Sequence, residues 1–185
     1  MINFLKLYAR NKVRCQSGNT IEILGPVRVR KCQIKIKGSG NKLILHSGAN
    51  VKNTIIEIDG NDCELSIGRD CVIGEGCYLS CRERNIALNI GDHCMFSRNV
   101  RVMTSDGHDI LKNHIRINPA KNIKIGSHVW LADGVTVLKG ATIGNGSIVG
   151  VGALLTSSMP ANSMSVGIPA KIVKENITWQ EDITF

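Results

Sequence analysis

The stretch VMTSDGHDILKNHIRINPAKN, residues 102–122, sets His108 and His114 among Asp106, Asp109 and Arg116. Imidazole titrates close enough to neutral pH to take a proton from a hydroxyl. A carboxylate or a backbone carbonyl behind the ring would fix its orientation and stabilise the imidazolium; Asp106, Asp109 and a carbonyl are all open for that role. Cysteine offers a second chemistry, since seven are present. Cys71 and Cys77 stand six residues apart and lack the short CxxC clamp of a structural zinc site. An odd set of isolated cysteines, with Cys63, Cys71, Cys77, Cys81 and Cys94 in or beside a periodic region, reads as reduced, buried, small apolar side chains.

The elements that must hold this polar stretch announce themselves by a period of six. Ile125, Leu131, Val137, Ile143, Val149 and Leu155 form an unbroken series, and tiny residues such as Gly126, Ala132, Gly144 and Gly150 directly follow several of them. Ile67, Ile73 and Leu79 form an earlier block, which resumes after the charged insertion CRERN with Ile90, Phe96 and Val102. Six is neither a helical period nor an unlimited alternation. It predicts an all-β solenoid of short strands with a corner every six residues, one aliphatic pointing inward from each strand. Stacked coils would pair at about 4.8 Å and bury a continuous aliphatic column. Residues 102–122 break the period, so they leave the solenoid as a loop, where a rigid scaffold commonly presents chemistry. Residues Ile21–Glu64 alternate more loosely and slip in register.

Composition narrows the rest. At 185 residues the chain has the size of one domain, and 43% hydrophobic content with only 4% aromatic residues implies a narrow aliphatic core. The expected division is a segment 1–20 containing a short helix, coils over 21–166 with the loop near 103–122, and a tail or helix over 167–185. No apolar run approaches the ~20 residues of a membrane span, and the opening MINFLKLYARNKV is too interrupted for a secretory signal, so a cytoplasmic location is expected. The net charge of +8 points to an anionic ligand. Lys and Arg are spread along the chain rather than massed on one helix, and aromatics that stack bases are scarce, which argues against nucleic acid.

The segment IGSHVWLADGVTVLKGATIGNGSIVGVGALLTSSMPANSMSVGIPAKIVK resembles the hexapeptide-repeat acyltransferases, and the resemblance runs from about Ile67 to Lys174. It implies a left-handed parallel β-helix, against the usual right-handed crossover, and a homotrimer with active sites between subunits. In the subgroup that O-acetylates sugars, polysaccharides and sialic acids, a similar DGH element carries the catalytic histidine, which matches His108. The implied reaction is direct transfer from acetyl-CoA to a sugar or glycan hydroxyl, His108 acting as general base, with no metal and no Ser or Cys nucleophile. Trp130 lies between inward Val129 and Leu131 and should point outward. The resemblance places it beside the pantetheine end of the coenzyme, and a trimer-interface anchor is the other reading. Further coenzyme contacts are implied at Asp133, Val151, Thr156, Lys171 and Lys174, although Ser157 stands where many relatives carry a Lys. Ordinary surface charge is the alternative for the two lysines. His46, His93, His114 and His128 raise the γ-class carbonic anhydrase, a zinc enzyme of the same fold, but the coil-spaced histidine pairing of that class is absent. A non-catalytic solenoid is the remaining class.

Overall fold

A computed structural model describes residues 2–182. Among the described residues one α-helix, α1 (Ile2–Arg10), precedes a parallel β-helix whose coils visit three faces in turn. Face A carries seven strands from Lys12–Cys15 to Leu154–Leu155, and face B six from Thr20–Leu24 to Thr142–Ile143. Face C carries eight, from Arg28–Arg30 up to Ser163–Val166 and the antiparallel return Lys171–Glu175. Every pairing between successive coils on these faces is parallel and in register, as in Leu79 opposite Ile56 and Val102. The inward column is the one the period predicts: Ile67, Ile73, Leu79, Phe96, Val102, Ile125, Leu131, Val137 and Val149 are all buried. Each contributes about 1.5–3 kcal/mol by leaving water.

Coil length explains where the period blurs. In the upper coils corresponding corner residues are 18 apart, three hexapeptides, as in the bond from Ser127 N to Asn145. In the lower coils they are 22 or 23 apart. The surplus lengthens face A, whose strands Gln33–Ser39, Ile55–Asn61 and Tyr78–Arg84 each run to 7 residues. The sequence there alternates correctly but returns late, and a fixed count of six loses it.

The coils begin at Lys12, inside the segment expected to precede them. KVRC is too short for alternation to be read. Helix α1 plugs the open end of the prism with Leu7, which is 2% exposed. Asn11 ends the helix, donating to Leu7 O (2.8 Å) and Val29 O (3.0 Å) while its Oδ1 accepts from Cys32 N. At the far end, the expected tail or helix is a strand: Lys171–Glu175 folds back along Ser163–Val166 and covers that edge. All seven cysteines are free, and six are buried. Burial pushes the Cys77 thiol up to about 11, which suits an inert core residue. Among the described residues no helix is long and apolar enough to cross a membrane.

Candidate active site

The chain leaves the prism at the corner between faces A and B, after the strand Arg101–Met103, and rejoins it at Ile123–Ile125. Between them lies a small hairpin, Leu111–Lys112 with Ile115–Arg116, turned by Asn113 and His114 in the left-handed region (φ 51 and 62). Three residues hold its base. Glu83 accepts from Arg116 Nη2 (2.6 Å) and Ser105 Oγ (2.8 Å) through Oε1, and from Ala120 N (3.1 Å) through Oε2. The Arg116 guanidinium, above all, draws the Glu83 carboxyl down to about 2. Lys139, on the next coil and 17% exposed, donates to Asp106 Oδ2 and to Asn118 O (2.9 Å). Asn118 is buried and ties the two arms together: its Oδ1 accepts from Ile110 N (2.7 Å), and its Nδ2 donates to Asp106 Oδ2 and to His108 O, both at 2.8 Å.

Glu83 occupies an unusual backbone position. On face A it lies opposite Gly60, which in turn lies opposite Gly38. Gly38 has a φ of 89°, and Glu83 adopts nearly the same angle, 85°. A glutamate in a region that favours glycine carries local strain, which the contacts to Arg116, Ser105 and Ala120 offset.

The result is a histidine with a fixed backbone and an unencumbered ring. His108 is exposed, its carbonyl is held by Asn118, and no hydrogen bond to its imidazole forms among the described residues. The sequence left Asp106, Asp109 and a carbonyl open as the group behind the ring. Asp106 is committed to Lys139 and Asn118, which lower its pKa, and Asp109 Oδ1 pairs with Arg116 Nε at 2.8 Å. Neither carboxylate bonds to His108 in the chain by itself; their contacts build the loop.

Trp130 lies elsewhere, in the face C strand Trp130–Leu131, its side chain directed outward as expected, while His108 projects from the opposite A–B corner. Its indole donates to Ser97 Oγ (3.1 Å). Part of its cover comes from a residue the sequence did not single out. Trp179 of the C-terminal segment lies 6.0 Å from Trp130, stacks on His128 at 4.2 Å, and donates from Nε1 to His128 O (2.8 Å). His93 and His128 both sit at corners with φ 55°, where they shape backbone, and no group of three or more His, Cys, Asp or Glu among the described residues is arranged to hold a metal.

The residues assigned to coenzyme form a ridge rather than a pocket. Asp133 and Val151 follow face C strands on consecutive coils at the C–A corner, joined by Gly152 N to Asp133 O (2.8 Å). Asp133 receives Arg98 through both its oxygens, and that guanidinium lowers its pKa. Val151 is 77% exposed, and a side chain added at neighbouring Gly152 would meet open space. Lys171 and Lys174 stand exposed on the return strand above this corner. Thr156 is exposed at the end of face A. Among the described residues neither lysine has a carboxylate partner, so the top of this edge carries uncompensated positive charge.

Comparison with known proteins bears on what such an arrangement belongs to. Residues 122–157 match the family described as bacterial transferase hexapeptide (six repeats). A polysialic acid O-acetyltransferase of Neisseria meningitidis is 34% identical over 183 residues, covering 87% of this chain and 85% of that protein. The chain belongs to the hexapeptide-repeat acyltransferase family. A second polysialic acid O-acetyltransferase, from Escherichia coli O1:K1, is 41% identical over 137 residues, spanning 73% of this chain but 43% of the relative's length. The crystal structure of the polysialic-acid-specific acetyltransferase NeuO superposes with a TM-score of 0.77 at 29% identity, over 94% of this chain and 84% of that one. The solenoid is thus the family's left-handed parallel β-helix.

Sequence reasoning missed Glu83, Asn118 and Lys139. Glu83 lay in the CRERN insertion, where its one available signal was a Glu in a column that is Gly two coils running. Lys139 and Asn118 gave none, because each partners residues of the loop across turns whose length the sequence does not fix.

Proposed function

We propose that the protein is an acetyl-CoA-dependent O-acetyltransferase acting on a hydroxyl of a sialic-acid-containing glycan. The observation that carries this reading is His108: an exposed imidazole with no hydrogen-bond partner among the described residues, its backbone clamped by Asn118, in a chain related over nearly its whole length to a polysialic acid O-acetyltransferase. His108 takes the proton from the acceptor hydroxyl as that oxygen forms its bond to the thioester carbonyl carbon. As the C–S bond breaks, the imidazolium returns the proton to the departing thiolate. No covalent enzyme intermediate is required. Acetyl-CoA, when bound, supplies the activated acetyl group. Lys171 and Lys174 would meet its phosphates, Asp133 and Val151 would flank it along the C–A corner, Thr156 would meet it from the end of face A, and Trp130 would pack against its thiol end.

His108 and Trp130 stand on different sides of one prism, so a site that uses both is completed by a second copy. The proposed assembly is a homotrimer with three equivalent sites. Two apolar surfaces support it. Ile110, Leu111, Ile115 and Ile117 on the excursion are more than half exposed, and Val72, Met95, Trp130, Ile148 and Met164 form an outward ladder on face C. Light scattering should give three times the 20.1 kDa chain mass. The activity is tested by incubating purified protein with acetyl-CoA and polysialic acid while following free thiol. Thiol release that depends on the acceptor is expected; its absence with sialic acid acceptors, alongside turnover of a neutral sugar, would replace the acceptor.

A further inference from the structure

The positive charge of this protein is not spread evenly. Residues 1–37 hold nine Lys and Arg against one acid, Glu22, while residues 38–185 hold fourteen of each sign. The whole formal charge of +8 therefore resides in α1, the first coil and the start of the second. Of those nine cations, Lys37 pairs with Asp59 at 3.3 Å. Among the described residues the other eight, Lys12, Arg14, Lys31 and Lys35 included, have no carboxylate within ion-pair distance. By contrast, half of the later cations are paired. An uncompensated cluster of this size opposes folding through its own repulsion, and it favours any polyanion that approaches.

The surface beside these charges is grooved. A cleft of ≈ 490 Å³ between Arg14 and Lys35 shares both residues with a second of ≈ 310 Å³, which reaches Lys12. Lys12 also borders a third, of ≈ 610 Å³, walled by Lys31, Asn53 and Ile55. Asn53 and Ile55 continue into a fourth, of ≈ 490 Å³, that ends at Arg101 and Met103. Met103 is the last residue of its strand before the chain departs toward His108. The four clefts thus join along face A and its C–A edge. The strand order there places Arg101–Met103 four steps above Lys12–Cys15, about 19 Å at the spacing of paired strands.

We infer that this groove is a binding track for a linear polyanionic glycan, which the basic first coils hold at a distance while another part of the same chain reaches the His108 loop. The inference rests on the acceptor reading given above. A polymer bearing one carboxylate per sugar would meet Lys12, Arg14, Lys31 and Lys35 at the foot of the groove and Arg101 at its upper end, and it gains affinity from contacts remote from the reacting hydroxyl. A lipid surface would meet the end of the prism without following a groove up one face. Stacked bases would need more aromatic side chains than the two tyrosines, Tyr8 and Tyr78, that line these clefts.

The test uses end-labelled polysialic acid, long and short, without coenzyme, together with vesicles containing phosphatidylglycerol. Wild type should bind the long polymer in a salt-dependent manner and the short one weakly. The triple variant Lys12→Gln/Arg14→Gln/Lys35→Gln should lose about tenfold or more in affinity for the long chain, while the charge-preserving variant Lys12→Arg/Arg14→Lys/Lys35→Arg should keep it. In acetyl transfer the triple variant should raise KM for long acceptors only, leaving short ones within about twofold. Unchanged polymer binding in the triple variant overturns the track. So does wild-type binding to the vesicles but not to the polymer, which would make the patch a membrane-facing surface. Polymer binding that the triple variant loses, in a protein that acetylates no sialic acid acceptor, keeps the track and removes the acceptor reading instead.

Discussion

The base of the excursion and its outer side are made of opposite materials. At the base, Glu83, Arg116, Asn118 and Lys139 satisfy one another through short polar contacts, and the glutamate accepts an unfavourable backbone angle to do so. On the outer side, Ile110, Leu111, Ile115 and Ile117 are more than half exposed, and no hydrogen bond to the His108 ring forms among the described residues. Rigid footings with a reactive, uncovered end are what a catalytic loop needs: the geometry is set before substrate arrives, and the remaining contacts are left for substrate and a neighbouring copy to supply.

The contrast is broken most severely at the exposed His108. His108→Ala should lower turnover by roughly two to four orders of magnitude with coenzyme affinity intact, because proton transfer alone is lost. Near-normal turnover in that variant, measured by thiol release, would take His108 out of the mechanism. A change at the base should cost less. Asn118→Ala removes the donor that fixes the carbonyl of residue 108, and turnover should fall by about a hundredfold or less, with the histidine itself intact. Full activity there would mean that the clamp is dispensable.

Smaller still is the effect expected on the ridge where coenzyme is proposed to lie. Replacing Lys171 and Lys174 by Gln should weaken coenzyme A binding by about 1–3 kcal/mol, and dephospho-coenzyme A should discriminate less between the two proteins. Calorimetry on the four combinations forms a double-mutant cycle, in which a coupling near zero would return both lysines to ordinary surface charge. Finally, the base should respond to acid. Glu83 is held near 2, below the ordinary carboxylate range, so its contribution is complete above that ordinary range and is lost as pH falls toward 2. Protection of the hairpin amides against hydrogen exchange, taken relative to intrinsic exchange at each pH, should fall across that window in wild type and show no such step in Glu83→Gln.

The two ends of the solenoid were not equally legible. The column from Ile125 to Leu155 could be read directly, because a coil of three hexapeptides leaves its period in the sequence. The lower coils add residues to face A, and their start at Lys12 was hidden. His108 and Trp130 stood out as a histidine in a polar interruption and an indole between inward residues. The base did not, since Glu83 meets Arg116 across 33 positions and Lys139 meets Asp106 across the same span. Nor was the grouping of charge legible to a search for runs of cations. It needed a signed count, segment by segment, and the folded coils to bring Lys12, Arg14 and Lys35 onto one face.

The docking of Trp179 has an optical consequence. The protein contains two tryptophans, and both lie at one spot on face C, with the His128 ring stacked on the second. Its indole emission thus originates wholly from this spot, without background from the rest of the coils. An undocked indole, released into water, emits further to the red. The native fluorescence of the unlabelled protein is therefore a readout of whether its C-terminal segment is seated.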